Sequence, residues 1–323
     1  MKIKLQFVVN LFLNFALFVL PIIIKIIMKK LLIFIFALVA SSASAQYYVS
    51  VSGGAQMGST GVLMGTEVSA DKTKLTNEYG SFGEGLNAQI RAGYFFNKMF
   101  GVEVGLGYLH GADQVRDTYK TYYAKGSSTL TEEIVDGKAY ARAYGLSTAL
   151  IYNFNDNVYG KFGAITKIGG KTVAEFTRST STPFGPVVAT GKQEYFGRVP
   201  LGFIAALGYK YKLSDKLNLF AELEYLGISV TRDKSEFTSL SIVAPAVPAN
   251  ALGAGHPGFP AYTWQLGQAP YAHPVFGTLY APTTITYEDT LANPNTDPSK
   301  TLSEVSPYSS FGINIGVTYS FGK

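Results

Sequence analysis

The stretch Phe311-Gly312-Ile313-Asn314-Ile315-Gly316-Val317-Thr318-Tyr319-Ser320-Phe321 decides the fold. Phe311, Ile313, Ile315, Val317, Tyr319 and Phe321 are all apolar, and the residues between them are small or polar. A period of two places these sets on opposite faces of a β-strand. One unbroken apolar face backed by a small polar face suits a wall between lipid and a polar lumen, which is the situation of a strand in a membrane β-barrel.

The same alternation recurs up the chain. It is read at Tyr47 to Met57, near Phe82 to Phe95, at Phe100 to Leu109, Ala139 to Phe154, Val158 to about Phe176, about Gln193 to Leu213, and Leu217 to Val230. With the terminal segment this makes eight strands. Three connections are short and polar: Phe96-Asn97-Lys98-Met99, Asn155-Asp156-Asn157 and Ser214-Asp215-Lys216. The other four, near 58 to 81, 110 to 138, 177 to 192 and 231 to 306, are long. Short turns on one side and long loops on the other, with an even strand number, are expected of an outer-membrane barrel with both termini on the periplasmic side. Tyr47, Tyr94, Phe95, Phe100, Tyr152, Phe154, Tyr209, Tyr211, Tyr319 and Phe321 all fall at the short-turn end, as an interfacial aromatic girdle does. Pro200 cannot donate to a ladder and is expected at the outer rim or at a bulge. A soluble lipocalin-like barrel would turn its apolar face inward and carry charge outside, whereas here the apolar faces are almost free of charge.

The opposite end reads as an address. Met28-Lys29-Lys30 precedes the apolar run Leu31 to Ala40 and the A-x-A site Ala43-Ser44-Ala45, so a secretory signal is expected to be cleaved before Gln46, with residues 1–27 an upstream extension or a lengthened leader. Five of the 27 lysines and arginines lie in residues 1–45, where there is no acid, which leaves 22 against 22 in residues 46–323. With that neutrality the basic balance of the whole chain gives no reason to expect a nucleic-acid partner, and none is expected. There is no cysteine, hence no disulfide framework and no thiolate chemistry.

With these features in place, Asn314, Gly316, Tyr319 and Phe321 resemble the terminal signal by which outer-membrane barrels are recognised for insertion. Residues 46–323 resemble, by strand pattern, the small OmpA-like and OmpX-like transmembrane barrels in the form common in Bacteroidota. The resemblance implies an all-β, eight-stranded antiparallel transmembrane barrel in the Gram-negative outer membrane. It also implies contact with outer-membrane lipid and lipopolysaccharide, and insertion by the barrel-assembly machinery. No peptidoglycan-binding segment follows Phe321, so a barrel alone is expected.

Chemistry is sparse. His110, His256 and His273 have no metal-ligand spacing, and His110 with Asp113 lacks any further element of a catalytic set, so no catalytic residue, cofactor or metal is assigned. Arg91, Glu103, Lys161, Lys167, Lys210, Glu222 and Glu224 fall on the polar face, where they either pair into a plug or line a narrow ion pathway. The first reading gives a non-enzymatic barrel acting through its external loops in surface interaction or envelope integrity. The second gives a small porin-like channel.

The last loop is unusual because residues 237–287 contain no Asp, Glu, Lys or Arg, yet include Phe259, Tyr262, Trp264, Tyr271, Phe276 and Tyr280. Disordered segments are usually charged and poor in aromatics. This one is expected to fold over the barrel mouth or to dock on a protein partner, and Thr283 to Tyr287 is a candidate to pair with an extension of the seventh strand. The role of the terminal strand is open to a direct test. Phe321→Asp puts a charge at a girdle position, and the expected outcome is a reduced yield of heat-modifiable protein in outer-membrane fractions.

Overall fold

The structure is a computed structural model that describes residues 46–59, 61–123 and 130–321; the leader assigned to residues 1–45 lies outside them. Eight strands form the barrel: β1 (Gln46–Gly58), β2 (Gly85–Phe95), β3 (Phe100–Gly111), β4 (Leu130–Asn153), β5 (Val158–Thr180), β6 (Gly202–Lys212), β7 (Leu217–Gly227) and β8 (Ser310–Ser320). Each pairs antiparallel with the next, and β8 pairs with β1 from Tyr48↔Ser320 to Gly58↔Ser310, so the ladder returns on itself. From the short turns up to Gly202↔Ile165, closure leaves no strand edge facing lipid, as a membrane-spanning sheet requires.

The alternation sets the faces. Val51, Ile90, Leu106, Leu150, Phe162, Leu207 and Ile315 are all at least half exposed, so the apolar face points out of the barrel and the lipocalin arrangement is excluded. The three short turns are fixed by side chains that mimic backbone acceptors. Asn97 Oδ1 accepts the amides of Met99 and Phe100, Asn155 Oδ1 those of Asn157 and Val158, and Ser214 Oγ those of Lys216 and Leu217. The aromatic girdle beside them is packed ring on ring: Tyr47–Tyr94 at 4.9 Å, Phe100–Tyr152 at 5.1 Å and Tyr319–Phe321 at 5.0 Å between centroids. A second girdle, unforeseen in the sequence, holds Tyr108–Tyr144 at 5.2 Å and Phe203–Tyr225 at 5.6 Å. The two girdles mark the faces of the membrane.

Beyond the second girdle the structure departs from the expected strand limits. β4 starts at Leu130 rather than Ala139, and β4 and β5 run for 24 and 23 residues, about twice the length that spans a bilayer. The sixth segment is divided. Val187–Gly197 pairs with the outer half of β5 and β6 pairs with its inner half, with Arg198 to Leu201 between them. The register is the same on both sides, from Tyr195↔Thr172 to Gly202↔Ile165, so the chain leaves the ladder and rejoins it in step. Pro200 lies in this interruption, where its missing N–H costs nothing, and its carbonyl accepts from Thr166 Oγ1. The seventh segment likewise continues past Gly227, as Ser229–Ala244, which pairs with Val187–Gly197.

The region 231–306 is therefore built on strands rather than being one open loop. Thr284–Glu288 pairs with Ser229–Ala244, the pairing foreseen for Thr283 to Tyr287, and Tyr262–Gln265 pairs further out on the same strand. Leu240, Ala244, Trp264 and Leu279 form a buried core, with Phe176, Ala189, Phe237, Tyr262, Tyr271 and Phe276 packed around it. This corrects the expectation of a lid. The barrel mouth is filled by a different cluster, in which Met64 and Phe82 of the first loop meet Ile228, Val230, Tyr308 and the alanines Ala139, Ala141 and Ala143. None of residues 237–287 belongs to it.

Trp264 is completely buried, and its indole N–H donates to Ala269 O at 3.0 Å. Truncation of a buried aromatic in a packed core costs about 3–5 kcal/mol. Trp264→Ala should therefore open residues 245–283 to protease on intact cells while the barrel keeps its heat-modifiable migration, as a gel of protease-treated membranes would show.

Candidate functional site

The interior is built by pairing large rings with glycine. Tyr48 lies opposite Gly93, Tyr159 opposite Gly208, and Phe220 opposite Gly316. A Cβ at any of these glycines would strike the facing ring. Each ring therefore lies flat against the wall, which leaves the centre of the lumen to longer polar chains.

Those chains are charged. Arg91 Nη1 lies 3.0 Å from Glu222 Oε2 and Arg91 Nη2 lies 3.6 Å from Glu224 Oε2, while Lys161 Nζ lies 2.8 Å from Glu222 Oε1 and 3.2 Å from Glu103 Oε1. Neutral donors add to the carboxylates, although Glu224 Oε2 accepts no hydrogen bond. Tyr48 Oη donates to Glu103 at 2.8 Å, Tyr159 Oη to Glu222 at 2.7 Å, and the Gln56 and Gln89 amides to Glu224 at 3.2 and 2.9 Å. Gln89 Oε1 accepts from Arg91 Nε at 2.8 Å. All five charged side chains are buried, Glu222 and Glu224 almost completely. Three carboxylates against two cations leave one formal negative charge, with the Lys210 cation as the next one towards the periplasmic side.

Five of the seven lumenal charges expected from the sequence thus meet in one network. Lys210 stands apart, donating to Asn153 Oδ1 at 2.8 Å with its ammonium over the Phe95 and Tyr159 rings at 4.9 and 4.6 Å. Lys167 is not part of it either: in step with Lys161 and just before a β-bulge at Ile168, it borders the lumen above the network, where its Nζ donates to Gly170 O at 3.0 Å. Tyr48, Gln56, Gln89 and Tyr159 join the network in addition to the expected charges. Their parity held the signal, since Tyr48 and Gln56 fall in step with Ser50 and Ser52, Gln89 with Arg91, and Tyr159 with Lys161.

The network divides the lumen. Below it a vestibule of about 640 Å³ opens between Arg91, Glu103, Asn153, Lys210 and Asn218; above it a chamber of about 90 Å³ lies between Gln56, Asn87, Ile165, Ile204 and Tyr308. The apolar cluster of Met64 and Phe82 closes the top.

The terminal signal residues each have a physical place. Asn314 is buried in the lumen opposite Glu222 and Gly54, Gly316 makes room for Phe220, and Tyr319 and Phe321 pack edge to face in the girdle. The loop aromatics have turned to one another. Tyr262 stacks on Tyr271 at 4.0 Å, Phe276 lies against His273 at 4.7 Å, Phe259 against His273 at 5.7 Å, and Tyr280 against Trp264 at 6.1 Å. Of the six, Tyr280 alone is exposed.

The histidines are occupied locally: His273 Nδ1 accepts from Val275 and Phe276, and His256 Nδ1 accepts from Gly258. Asp113 pairs with Lys138 at 3.0 Å and not with His110. Among the described residues no three His, Asp or Glu side chains converge as metal ligands. The outer sheet has a polar interior of its own, where Arg232 pairs with Glu304 at 2.7 Å and lies over the Tyr195 ring at 4.7 Å. Burial pushes the Tyr195 hydroxyl up to about 12, with Tyr287 adding to the rise and Arg232 opposing it.

Removing one partner of a buried ion pair strands the other, at a cost of about 3–5 kcal/mol, whereas removing both is far milder. Lys161→Met is expected to lower the urea midpoint of the refolded barrel clearly, and Lys161→Met with Glu222→Gln to recover a large part of the loss. The two unfolding curves, followed by gel mobility, check this.

Among solved structures, the chain is similar to Neisserial surface protein A (12% identity, 86% of this chain and 99% of that one, TM-score 0.28). It is also similar to a major outer membrane protein of Thermus thermophilus (12% identity, 86% and 100%, TM-score 0.29) and to Ail, the attachment invasion locus protein of Yersinia pestis (12% identity, 86% and 97%, TM-score 0.27). At these scores the likeness carries no argument. No curated protein sequence matches. The family model for the outer membrane protein beta-barrel domain matches residues 31–252, more than half of the chain. This chain therefore belongs to the outer membrane protein beta-barrel domain family.

Proposed function

We propose that the protein is a non-enzymatic outer-membrane anchor that presents its extracellular sheet for surface interaction. The observation that carries this reading is the plug. A conducting pore needs a hydrated path, yet the lumen is crossed by five buried, mutually paired charges and then sealed by an apolar cluster. At the level of the network the eight-stranded interior is filled by its own side chains. The built part of the molecule lies outside, where the long ladders of β4 and β5 carry two further strands and a separate hydrophobic core.

Bilayer recording and cell adhesion test the two halves of this proposal. Purified wild-type protein is expected to give no stable ionic steps. Replacing residues 245–283 by a short Gly/Ser linker should leave a heat-modifiable, non-conducting barrel, while cells carrying it lose the surface attachment or aggregation that the full-length protein confers. Steady wild-type conductance that changes selectivity in Glu222→Gln would overturn the anchor reading in favour of a small channel.

A further inference from the structure

The interruption between Val187–Gly197 and β6 leaves an opening in the wall. β5 is paired on this side up to Ile165 and again from Thr172, so residues 166–171 face residues 196–201 without a ladder. Its height is set by Tyr144 of the second girdle, which lies at its lower rim. A sheet that leaves backbone unpaired at the edge of the hydrocarbon needs polar partners there from another molecule or from water.

The opening holds a pocket of about 480 Å³ lined by Arg142, Lys167, Lys171, Tyr144, Phe196 and Val199. Three cations line this one cavity, Lys167 reaching it from the strand position that also borders the lumenal chamber. Arg142 and Lys171 are directly opposite in the β4–β5 register, an arrangement that repels unless an anion lies between or beside them. Lys171 is partly neutralised by Glu194 at 2.6 Å. Arg142 has only carbonyl acceptors, Gly111 O and Ala141 O, and the Tyr140 ring at 4.5 Å; Lys167 has only Gly170 O. Among the described residues neither has a carboxylate within ion-pair distance. Beside the pocket, Val199 and Leu201 are 79% and 83% exposed, the highest values among the large apolar side chains described, and Ile168 is also exposed.

We infer that this pocket binds the phosphate-bearing headgroup of a lipid in the outer leaflet, with Arg142 and Lys167 holding the phosphate and Tyr144, Ile168, Val199 and Leu201 lying along its acyl chains. Guanidinium and ammonium groups are the ordinary phosphate ligands, and basic pockets at the membrane boundary select anionic headgroups. A free anion would use the cations but leave the apolar rim uncovered. A lipid satisfies both, together with the unpaired backbone.

The test is native mass spectrometry of refolded, delipidated protein in a neutral detergent, titrated with diphosphoryl lipid A. One retained lipid per protein is expected, with affinity about tenfold weaker in Arg142→Gln/Lys167→Gln and unchanged in the distant control Lys120→Gln/Lys300→Gln. Lipid A stripped of phosphate should bind as weakly to wild type as the diphosphoryl form does to the double variant. Each variant is first checked for heat-modifiable migration; if the double variant does not fold, Lys167→Gln alone and the charge-preserving Arg142→Lys replace it, the first expected to weaken retention and the second to keep it. Equal retention by wild type and the neutralised variant, or equal binding of the stripped lipid, would overturn the proposal. So would full displacement of the lipid by millimolar inorganic phosphate, which would mark a general anion site.

Discussion

Three glutamates buried in a lumen must find cations or the barrel cannot close around them. Glu103 stands on β3 and Glu222 and Glu224 on β7, while their partners Arg91 and Lys161 stand on β2 and β5. The ion pairs therefore reach across the interior rather than along the wall. Neighbouring strands could slip past one another by two residues and still alternate correctly, so hydrophobicity alone leaves register underdetermined. Contacts from Arg91 to Glu222 and from Lys161 to both Glu103 and Glu222 favour one set of registers. The glycine-facing rings of Tyr48, Tyr159 and Phe220 support the same choice, because a slip would drive each ring into a side chain.

The plug also explains how the two ends of the molecule differ. Towards the periplasm the lumen is wide and polar, lined by Asn153, Lys210 and Asn218; towards the outside it narrows and becomes apolar around Met64, Phe82 and Tyr308. The outer seal draws on the first loop and on the chain just beyond β7 and just before β8, so it is continuous with the extracellular structure. Interior and exterior are joined by packing, although their chemistry is distinct.

The barrel was legible in the sequence because lipid imposes a strict rule. Every second residue must be apolar, and Phe311 to Phe321 obeys it without exception. Turn chemistry was legible for the same kind of reason, since Asn97, Asn155 and Ser214 satisfy backbone amides locally. What lies outside the membrane was not. Water tolerates either face, so nothing in Thr131 to Lys138 or Thr231 to Ser241 distinguishes an extended ladder from a loop, and β4 and the strand Ser229–Ala244 run beyond the limits that alternation gives them. Lys167 keeps the parity of Lys161 and borders the lumen, while the bulge that follows it at Ile168, beside Gly169-Gly170, leaves no mark in the alternation. The aromatics of residues 237–287 were recognised as a cluster, but pattern alone does not say whether rings seek a partner or one another.

The unbroken run of β4 and β5 from the periplasmic turns to the outer sheet has a mechanical meaning. Along their whole length the two strands share one ladder, from Asn153↔Tyr159 to Glu133↔Thr180, with no linker at the membrane surface. A pull applied to the outside is transmitted in shear, so that many bonds resist together instead of parting one by one. Tension gathered at the cell surface would therefore reach the bilayer through a stiff stem rather than a flexible tether.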